Sequence, residues 1–472
     1  MQRFGDSVRL LTVNKRATWP VADRMAFYAY GTYSAKLEPG EYSLIVYRGP
    51  EYKVYVGKFL ISEDTGPTEV TVSLKRYDDL ASRGWISGDG HIHLQREEVA
   101  DQRVWQQIAA EDVHVADLLQ MGNITGIYFE QPAWGQEGRY TYEGHSLVSG
   151  QEDPRTGQLG HTVHTNLQQP IHLSSESYFL YYKAFNEAHR QGGISGYAHL
   201  GEWFNAPRGL AIDVPFGDVD FISVAEMGRI SVDIWYRYLN MGYKILPAAG
   251  SDFPYTDLPG VQRHYVKTGK NASLDDYYRA WQAGRIFVTN GPFLEFTVDG
   301  QEMGSEVHVG KGRMVQVHAE AWLNPDVDSL DRLELISHGK VIKTIEANGS
   351  DRVTLDMDIR ADESQWLAVR AFGKQQAQFN TIGAHSAATY LIVDGASFWK
   401  RSALQELISD QQKILSEIMS SRILLDEDLE GFDTNDTLLA QWPKQRELLR
   451  SRVEEAEKAY DEILIRAGFK TR

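Results

Sequence analysis

The chain of 472 residues is long enough for several domains, and its composition, with 42% hydrophobic and 24% charged residues, is typical of a globular protein. Its net charge of −17 argues against nucleic-acid binding, and the absence of cysteine excludes disulfides, thiolate metal sites and a cysteine nucleophile. No apolar run reaches the ~20 residues of a membrane span and no signal peptide begins the chain as given, so we expect a soluble protein of undetermined compartment, with a removed leader and export left open.

Residues 1–84 are predicted to form a small antiparallel β-sandwich. Short aromatic and β-branched runs at 42–47, 52–56 and 70–74 are separated by segments with Gly and Pro. This part of the chain has no cluster of acids or histidines, so its aromatic residues are expected to pack in a core.

From residue 85 to residue 290, strands and helices alternate. The predicted helices are 99–110, 177–190, 231–240 and 275–283. The predicted strands that follow the first one are 113–116, 194–198, 220–225, 245–249 and 286–288. This order predicts parallel strands covered by helices, as in an α/β barrel or an open sheet, with chemistry at the carboxyl ends of the strands. A long irregular segment, 121–142, is expected to form a lid or pocket wall, with Trp134 as a candidate substrate contact.

Two histidines follow the first strand, in the stretch Gly88-Asp89-Gly90-His91-Ile92-His93. Residues two apart on a strand share a face, so His91 and His93 are predicted to point the same way. Two adjacent imidazoles are suitable ligands for a divalent metal, although the pair alone is also compatible with ordinary hydrogen bonding. Asp89 is better placed to orient a ligand histidine than to bind metal itself.

Further candidate ligands follow later strands: Glu152, His161, His199 and Asp252. A carboxylate can bridge two cations, which an imidazole does not do, so Glu152 is the predicted bridge. The set predicted for one metal is His91, His93, Glu152 and Asp252. The set predicted for a second metal, ~3.5–4 Å away, is Glu152, His161 and His199. We expect two zinc ions, with manganese or iron as alternatives.

The sequence leaves the roles of several polar residues in this region undecided. Glu226 is a candidate ligand, acid/base or salt-bridge partner. His164 would point to the opposite face of an extended strand from His161, and His264 receives no role. Arg155, Arg229 and Arg263 are candidate anchors for an anionic substrate.

Five motifs, taken in order, resemble a known enzyme family: Gly88–His93, Gly150-Gln151-Glu152 with Gly160-His161, Gly196–His199, Ala248–Asp252 and Gly284–Pro292. Residues 85–300 resemble the PHP (polymerase and histidinol phosphatase) superfamily of metallohydrolases, and more narrowly its CehA/McbA-type branch, which includes carbaryl hydrolase. The resemblance implies a distorted (β/α)7 barrel, metals at its C-terminal end, and hydrolysis of phosphate, carboxylic or carbamic esters. Trinuclear members carry extra ligands where this chain has 94–98 and 117–120, so at most two metals are expected here, which counts against phosphatase chemistry.

The remaining residues are predicted to form two further units. Residues 291–397 show the alternation of a second antiparallel sandwich, compatible with an immunoglobulin-like fold. Residues 398–472 are predicted to form a helical hairpin, because apolar residues recur at helical spacing in 404–418 and 449–463 around an acidic break at 426–436. Its apolar stripe packs either on its own chain or on a second subunit, so a homodimer is left open.

The leading hypothesis is a divalent-metal hydrolase that cleaves an ester, carbamate or amide bond of a small molecule with a metal-activated hydroxide. Asp252 is the candidate proton shuttle, and Glu152 is the bridging carboxylate of the catalytic centre. The alternatives are a phosphoesterase, a metal-dependent carbohydrate lyase and a non-enzymatic binding protein.

Overall fold

The computed structural model describes residues 8–12, 25–63, 66–97, 101–122, 126–157, 159–200, 207–256, 258–377, 380–420 and 434–470. Within these ranges the fold is mixed α/β and is dominated by sheets. No helix in them combines the length and the apolar character needed to cross a membrane.

The N-terminal part contains two separate two-stranded antiparallel sheets. One pairs β1 (Val8–Thr12) with β2 (Met25–Ala29), and the other pairs β3 (Gly40–Val46) with β4 (Tyr55–Ile61). The described residues therefore do not form the single sandwich that we predicted, and residues 70–74 belong to no strand. Alternating β-branched residues favour extended backbone, but a strand also needs a partner with a free edge, which the pattern does not reveal.

The central region contains the elements that carry the candidate site. In chain order they are β5 (Trp85–Ile92), α1 (Asp101–Ala110), β6 (Val115–Gly122), β7 (Ile127–Tyr128), β8 (Tyr140–Tyr142), β9 (His145–Thr156), β10 (Gly160–Thr165), α2 (Tyr182–Arg190), β11 (Ile194–Tyr197), α3 (Leu210–Asp213), β12 (Phe221–Glu226), β13 (Arg229–Ile230), α4 (Asp233–Asn240), β14 (Leu246–Ala249), β15 (Arg263–Lys267), α5 (Leu274–Gln282) and β16 (Ile286–Thr289). Each helix and strand predicted for this region overlaps one of them. α5, for example, begins at a capping box in which the Ser273 hydroxyl accepts from the Asp276 N–H and the Asp276 carboxylate accepts from the Ser273 N–H.

The strands of this region form a ring in the order β5, β6, β9, β10, β11, β12, β14. The chain after β14 closes the ring, because Ile92 bridges Phe253 and the Asp252 N–H donates to the His91 carbonyl at 2.8 Å. The pairings are parallel except at β10, which runs antiparallel to both of its neighbours. This differs from the predicted run of parallel strands, since the short connection from β9 to β10 permits only a hairpin.

The reversal at β10 matters for the site because it brings the start of β10 beside the end of β9. Every residue of β6 is buried, as expected for a strand covered on both faces. Trp235 of α4 and Trp281 of α5 are fully buried in the layers that cover the ring.

The next part of the chain contains ten strands: β17 (Phe293–Val298), β18 (Gln301–Glu302), β19 (Glu306–Val309), β20 (Met314–Trp322), β21 (Leu330–Ser337), β22 (Lys340–Glu346), β23 (Arg352–Arg360), β24 (Gln365–Ala377), β25 (Asn380–Ser386) and β26 (Thr389–Val393). One layer is the sheet β18-β17-β20-β23. Its apolar face shares one buried cluster with residues of β21 and β24. The other layer contains β21, β24 and β25, which pair in that order. It is continuous with the central region because β25 also pairs with β16.

Two helices end the described chain, α6 (Leu404–Ser420) and α7 (Thr434–Arg466). They share a buried apolar cluster with the central region of the same chain. Gln445 of α7 is fully buried and ties this helix to the loop before α2, since its amide accepts from the Phe179 N–H at 2.8 Å and donates to the Ser175 carbonyl at 2.6 Å. Most of the predicted acidic break, 426–433, lies outside the described residues, and the last residues of that break are already helical.

Candidate metal centre

Six predicted ligands lie at neighbouring strand ends of the ring. They are His91 and His93 at the end of β5, Glu152 of β9, His161 of β10, His199 after β11 and Asp252 after β14. All six side chains are buried or nearly so, with residue exposures of 1% for Glu152 and 9% for His161 and His199. The ring therefore brings together residues that are far apart in the sequence.

The first group consists of Nε2 of His91, Nε2 of His93, Oε2 of Glu152 and Oδ1 of Asp252. The two imidazole nitrogens are 3.1 Å apart, and Glu152 Oε2 lies 3.1 Å from His93 Nε2 and 3.6 Å from His91 Nε2. Asp252 Oδ1 lies 3.6 Å from His91 Nε2 and 3.5 Å from His93 Nε2. Tetrahedral ligands with bonds of about 2.0–2.1 Å are about 3.3 Å from one another. The distances among His91, His93 and Glu152 therefore fit three ligands around one ion, whereas Asp252 lies near both histidines but outside this three-residue group.

The second group consists of Glu152, His161 and His199. Glu152 Oε1 lies 2.6 Å from His161 Nδ1 and 3.5 Å from His199 Nε2. The three ligand atoms lie within 4.8 Å of one another, as do those of His91, His93 and Glu152, so each of these groups could hold a metal ion. Glu152 presents one carboxylate oxygen to each group, which is the arrangement of a bridging ligand.

The hydrogen bonds of two histidines make a cation between them favourable. His93 Nδ1 lies 3.0 Å from the Leu119 carbonyl oxygen, which can only accept, so the proton of the neutral ring is on Nδ1. His91 Nδ1 lies 3.2 Å from the Glu226 carboxylate, which places its proton in the same way. The Nε2 lone pairs then face each other across 3.1 Å. A proton or a metal ion between them removes this repulsion.

The charges of the site also favour bound cations. Burial alone lowers the pKa of His91, but neighbouring carboxylates, Asp252 foremost, raise it well above its usual value. Burial alone would also lower the pKa of His199, but neighbouring carboxylates, chiefly Glu226, raise it to about 10. Burial alone raises the pKa of Glu152, but Arg155 and the nearby histidines hold it well below its usual value. Glu152 is thus ionised and attracts positive charge.

Asp89 organises the main chain around the ligands. Its Oδ1 accepts from the His91 N–H at 3.1 Å and from the Ser251 N–H at 3.0 Å, and its Oδ2 accepts from the Gly260 N–H at 2.7 Å. The predicted role of orienting a ligand histidine is therefore exercised through the backbone of His91 rather than through its imidazole.

Glu226 lies on the Nδ1 side of two ligand histidines and belongs to neither ligand group. Its Oε1 is 3.2 Å from His91 Nδ1, and its Oε2 is 3.3 Å from His199 Nδ1. Oε2 also accepts from the His199 backbone N–H at 2.8 Å. Of the three roles left open by the sequence, this position corresponds to a partner of the ligand histidines.

Three residues around the site have left-handed backbone conformations, which are uncommon outside glycine. The φ angles are 62° at His199, 50° at Asp252 and 54° at Phe129. Such conformations carry a conformational cost and tend to occur at functional sites.

Two aromatic residues beside His93 were not identified from the sequence as site residues. The Phe129 ring lies 5.3 Å and the Tyr255 ring 5.6 Å from the His93 ring, centroid to centroid. Phe129 belongs to the predicted irregular segment, but its composition did not indicate which aromatic residue faces the site. Trp134 packs instead against a separate cluster that contains Leu167 and Ile171.

A cavity of about 420 Å³ has sequence neighbours of Glu152 in its wall, but none of the six ligands is among its described lining residues. Its lining includes Gln120, Met121, Gln151, Asp153, His172 and Ser174. Gln151 and Asp153 flank Glu152 in sequence, and Met121 is paired with Glu152 across β6 and β9. The cavity therefore lies beside β6 and β9, and its walls are both polar and apolar.

The two histidines left open by the sequence lie elsewhere. His164 Nδ1 is 2.8 Å from the Ser195 hydroxyl and Nε2 is 3.1 Å from the Thr162 hydroxyl, and burial lowers its pKa to about 3. His264 Nε2 is 2.5 Å from the Tyr277 hydroxyl, and burial also lowers its pKa to about 3. Both are buried, and neither belongs to the two ligand groups.

Comparison with known proteins gives little further information. No family model and no curated protein matches the chain. Among solved structures, the chain is similar to PsfC from Pseudomonas syringae PB-5123, with 16% sequence identity, coverage of 43% of this chain and 89% of PsfC, and a TM-score of 0.28. A similarity at this level does not indicate a shared fold or function.

Proposed function

We propose that this protein is a divalent-metal hydrolase with two ions bridged by Glu152. The observation that carries the proposal is the double use of this carboxylate, whose Oε2 lies 3.1 Å from His93 Nε2 and whose Oε1 lies 2.6 Å from His161 Nδ1. Two-metal hydrolytic centres place their ions ~3.5–4 Å apart, which a bridging carboxylate can span. Zinc suits the nitrogen and oxygen donors, with manganese or iron as alternatives.

The ions would supply chemistry that the chain lacks. When bound, they would lower the pKa of water toward ~7 and polarise the acyl oxygen of an ester, carbamate or amide. Asp252 would hold the proton released by the attacking water, because its Oδ1 is close to His91 and His93 while the residue keeps 6% exposure. Phe129 and Tyr255 would exclude water on the His93 side, and the cavity lined by Gln151 and Asp153 would take another part of the substrate.

We also propose that the protein belongs to the family that its motifs resemble. The order of the five motifs, together with ligands that meet at one end of a strand ring, supports membership of the PHP superfamily and its CehA/McbA-type branch. In this interpretation the strands from β5 to β14 correspond to the distorted (β/α)7 barrel, flanked by β domains and the helices of the tail.

Phosphoester hydrolysis is the second candidate, and one observation favours it. Arg155 is buried, and its attraction is the foremost influence lowering the pKa of Glu152. A guanidinium this close to the centre would also attract an anionic substrate.

The test is turnover of a panel of 4-nitrophenyl carboxylate, carbamate and phosphate esters by protein reconstituted separately with Zn²⁺, Mn²⁺ and Fe²⁺. We expect metal-dependent cleavage of the carboxylate or carbamate esters, with loss of activity on chelation and with ¹⁸O from labelled water in the acid or carbonate product. Cleavage of the phosphate ester alone would favour the second candidate. Bound metal without any turnover would contradict both candidates.

A further inference from the structure

We infer that Glu226 is a positioning residue that orients one histidine of each ligand group so that its Nε2 faces the other ligands. The inference rests on the proposed function, since it concerns the same two sites. Its starting point is that one carboxylate contacts His91 of the first group and His199 of the second, in each case at the nitrogen that points away from the ligand cluster.

The contacts determine which nitrogen of each ring is free to bind metal. A carboxylate without a proton can only accept, so the His91 Nδ1 that is hydrogen-bonded to Glu226 must carry the ring proton, and the 3.3 Å ion-pair distance from Glu226 favours a proton on Nδ1 of His199. The Nε2 atoms, which face Glu152 at 3.6 Å from His91 and 3.5 Å from His199, are then left with lone pairs. Ligand histidines commonly depend on such outer partners, whose loss lowers metal affinity about 10–100-fold.

Glu226 is itself firmly held. It is 5% exposed and ends β12, and its Oε2 accepts from the His199 backbone N–H at 2.8 Å. The next residue, Met227, has a φ of 54°, and β12 turns back at this point to pair with β13. The carboxylate therefore has one defined orientation, in which Oε1 serves His91 and Oε2 serves His199.

This orientation predicts that Glu226→Gln weakens metal binding at the first ligand group but not at the second. The amide oxygen must take the place of Oε2, because an amide NH₂ there would face the His199 N–H, which is also a donor. The NH₂ group then takes the place of Oε1, 3.2 Å from His91 Nδ1. A donor at this position favours a proton on Nε2 of His91, so this nitrogen no longer binds metal. His199 keeps its acceptor, so the second site is retained.

The experiment is cobalt(II) titration of the full-length apoprotein, followed by calorimetry and by visible absorption. We expect two ions for the wild type. For Glu226→Gln we expect the affinity for one cobalt ion to stay within about threefold of the wild-type value. The affinity for the other ion should fall about 10–100-fold, with loss of part of the cobalt absorption. Adding His161→Asn to Glu226→Gln should remove the remaining tight ion, and adding His93→Asn should leave it in place.

Asp220→Asn is the matched control. Asp220 lies just before the same strand and also accepts from a histidine, His189 at 2.8 Å, and from a backbone N–H, that of Ser195 at 2.8 Å. This variant should bind two cobalt ions like the wild type. Glu226→Asp keeps two acceptor oxygens and should bind the first ion more tightly than Glu226→Gln does.

The outcomes separate this inference from the proposed function. Wild-type protein that binds no cobalt contradicts the proposed function. Two ions in the wild type with unchanged or equally weakened steps in Glu226→Gln contradict the inference alone. If Glu226→Gln does not fold, the tautomers can be read in the wild type loaded with diamagnetic Zn²⁺, from long-range ¹H–¹⁵N spectra of ¹⁵N-histidine-labelled protein. A proton on Nε2 of His91 or His199 would then overturn the inference.

Discussion

Replacing Glu152 by Gln should weaken both metal sites at once. The substitution keeps the size of the side chain but removes its charge and converts one of its two oxygens to an NH₂ group, which cannot bind metal. One site loses a ligand outright, and the other keeps only a neutral oxygen. His161→Asn, in contrast, should weaken only the second site, because His161 belongs only to the second ligand group.

The size of the effect follows from the charges. A carboxylate about 2.1 Å from a dication has a Coulomb energy of about 16 kcal/mol at an effective dielectric constant of 20. Glu152 is 1% exposed, so much of this energy offsets its desolvation. If about a quarter remains as net attraction, its loss costs about 4 kcal/mol, or a thousandfold in affinity. We therefore expect Glu152→Gln to need about a thousandfold more free metal than the wild type for half occupancy during dialysis.

The assay is metal content by mass spectrometry together with the thermal melting temperature of the apoprotein. Glu334→Gln is the control, because Glu334 is also a buried carboxylate (6% exposed) but is held by Arg332 and Arg370 far from the ligand groups in sequence. It should bind metal normally. A folded Glu152→Gln protein that retains two ions would refute the reasoning.

Three further substitutions test the scaffold. Gly250→Ala would place a Cβ 2.2 Å from the Cβ of His91, so it should lower stability by about 1–3 kcal/mol and weaken metal binding; unchanged calorimetric affinity would show that the backbone adapts. Burial raises the pKa of Glu111 to about 7, so its contribution to stability is full below about pH 4.5 and is lost as the pH rises through 7. Urea unfolding should therefore show Glu111→Gln gaining about 3 kcal/mol over the wild type between pH 4 and pH 9, and parallel pH profiles would contradict this. Gln445→Ala leaves one buried and one partly buried main-chain group without the Gln445 amide and should cost about 2–4 kcal/mol in the same assay, whereas a loss below about 0.5 kcal/mol would mean that α7 is not anchored there.

The pattern of the sequence indicated the local elements of the central region well. Gly and capping residues mark where its helices begin and end, and apolar runs mark its buried strands. The antiparallel course of β10 was not predictable from these signals, because strand direction depends on the length of a connection rather than on the residues within the strand. In the N-terminal part, the run at 70–74 has the right residue types for a strand but lacks a partner among the described residues.

The ligand types could be inferred from the sequence, but their surroundings could not. Alternation along β5 already places His91 and His93 on one face, and the need for a carboxylate limits the bridge to Glu152 or Asp252 among the six candidates. The contact of Glu226 with two histidines depends on the packing of β12 between β11 and β14, which local pattern does not encode. The same holds for Phe129 and Tyr255, which meet His93 from two different loops.

The most direct test of the central claim is an anomalous difference map from crystals of the wild-type protein grown with Zn²⁺ and measured on both sides of the zinc absorption edge. We expect two peaks about 3.5–4 Å apart, one on each side of the Glu152 carboxylate. One peak should lie among His91, His93 and Asp252, and the other between His161 and His199. A map with no peak within bonding distance of Glu152 would contradict the account.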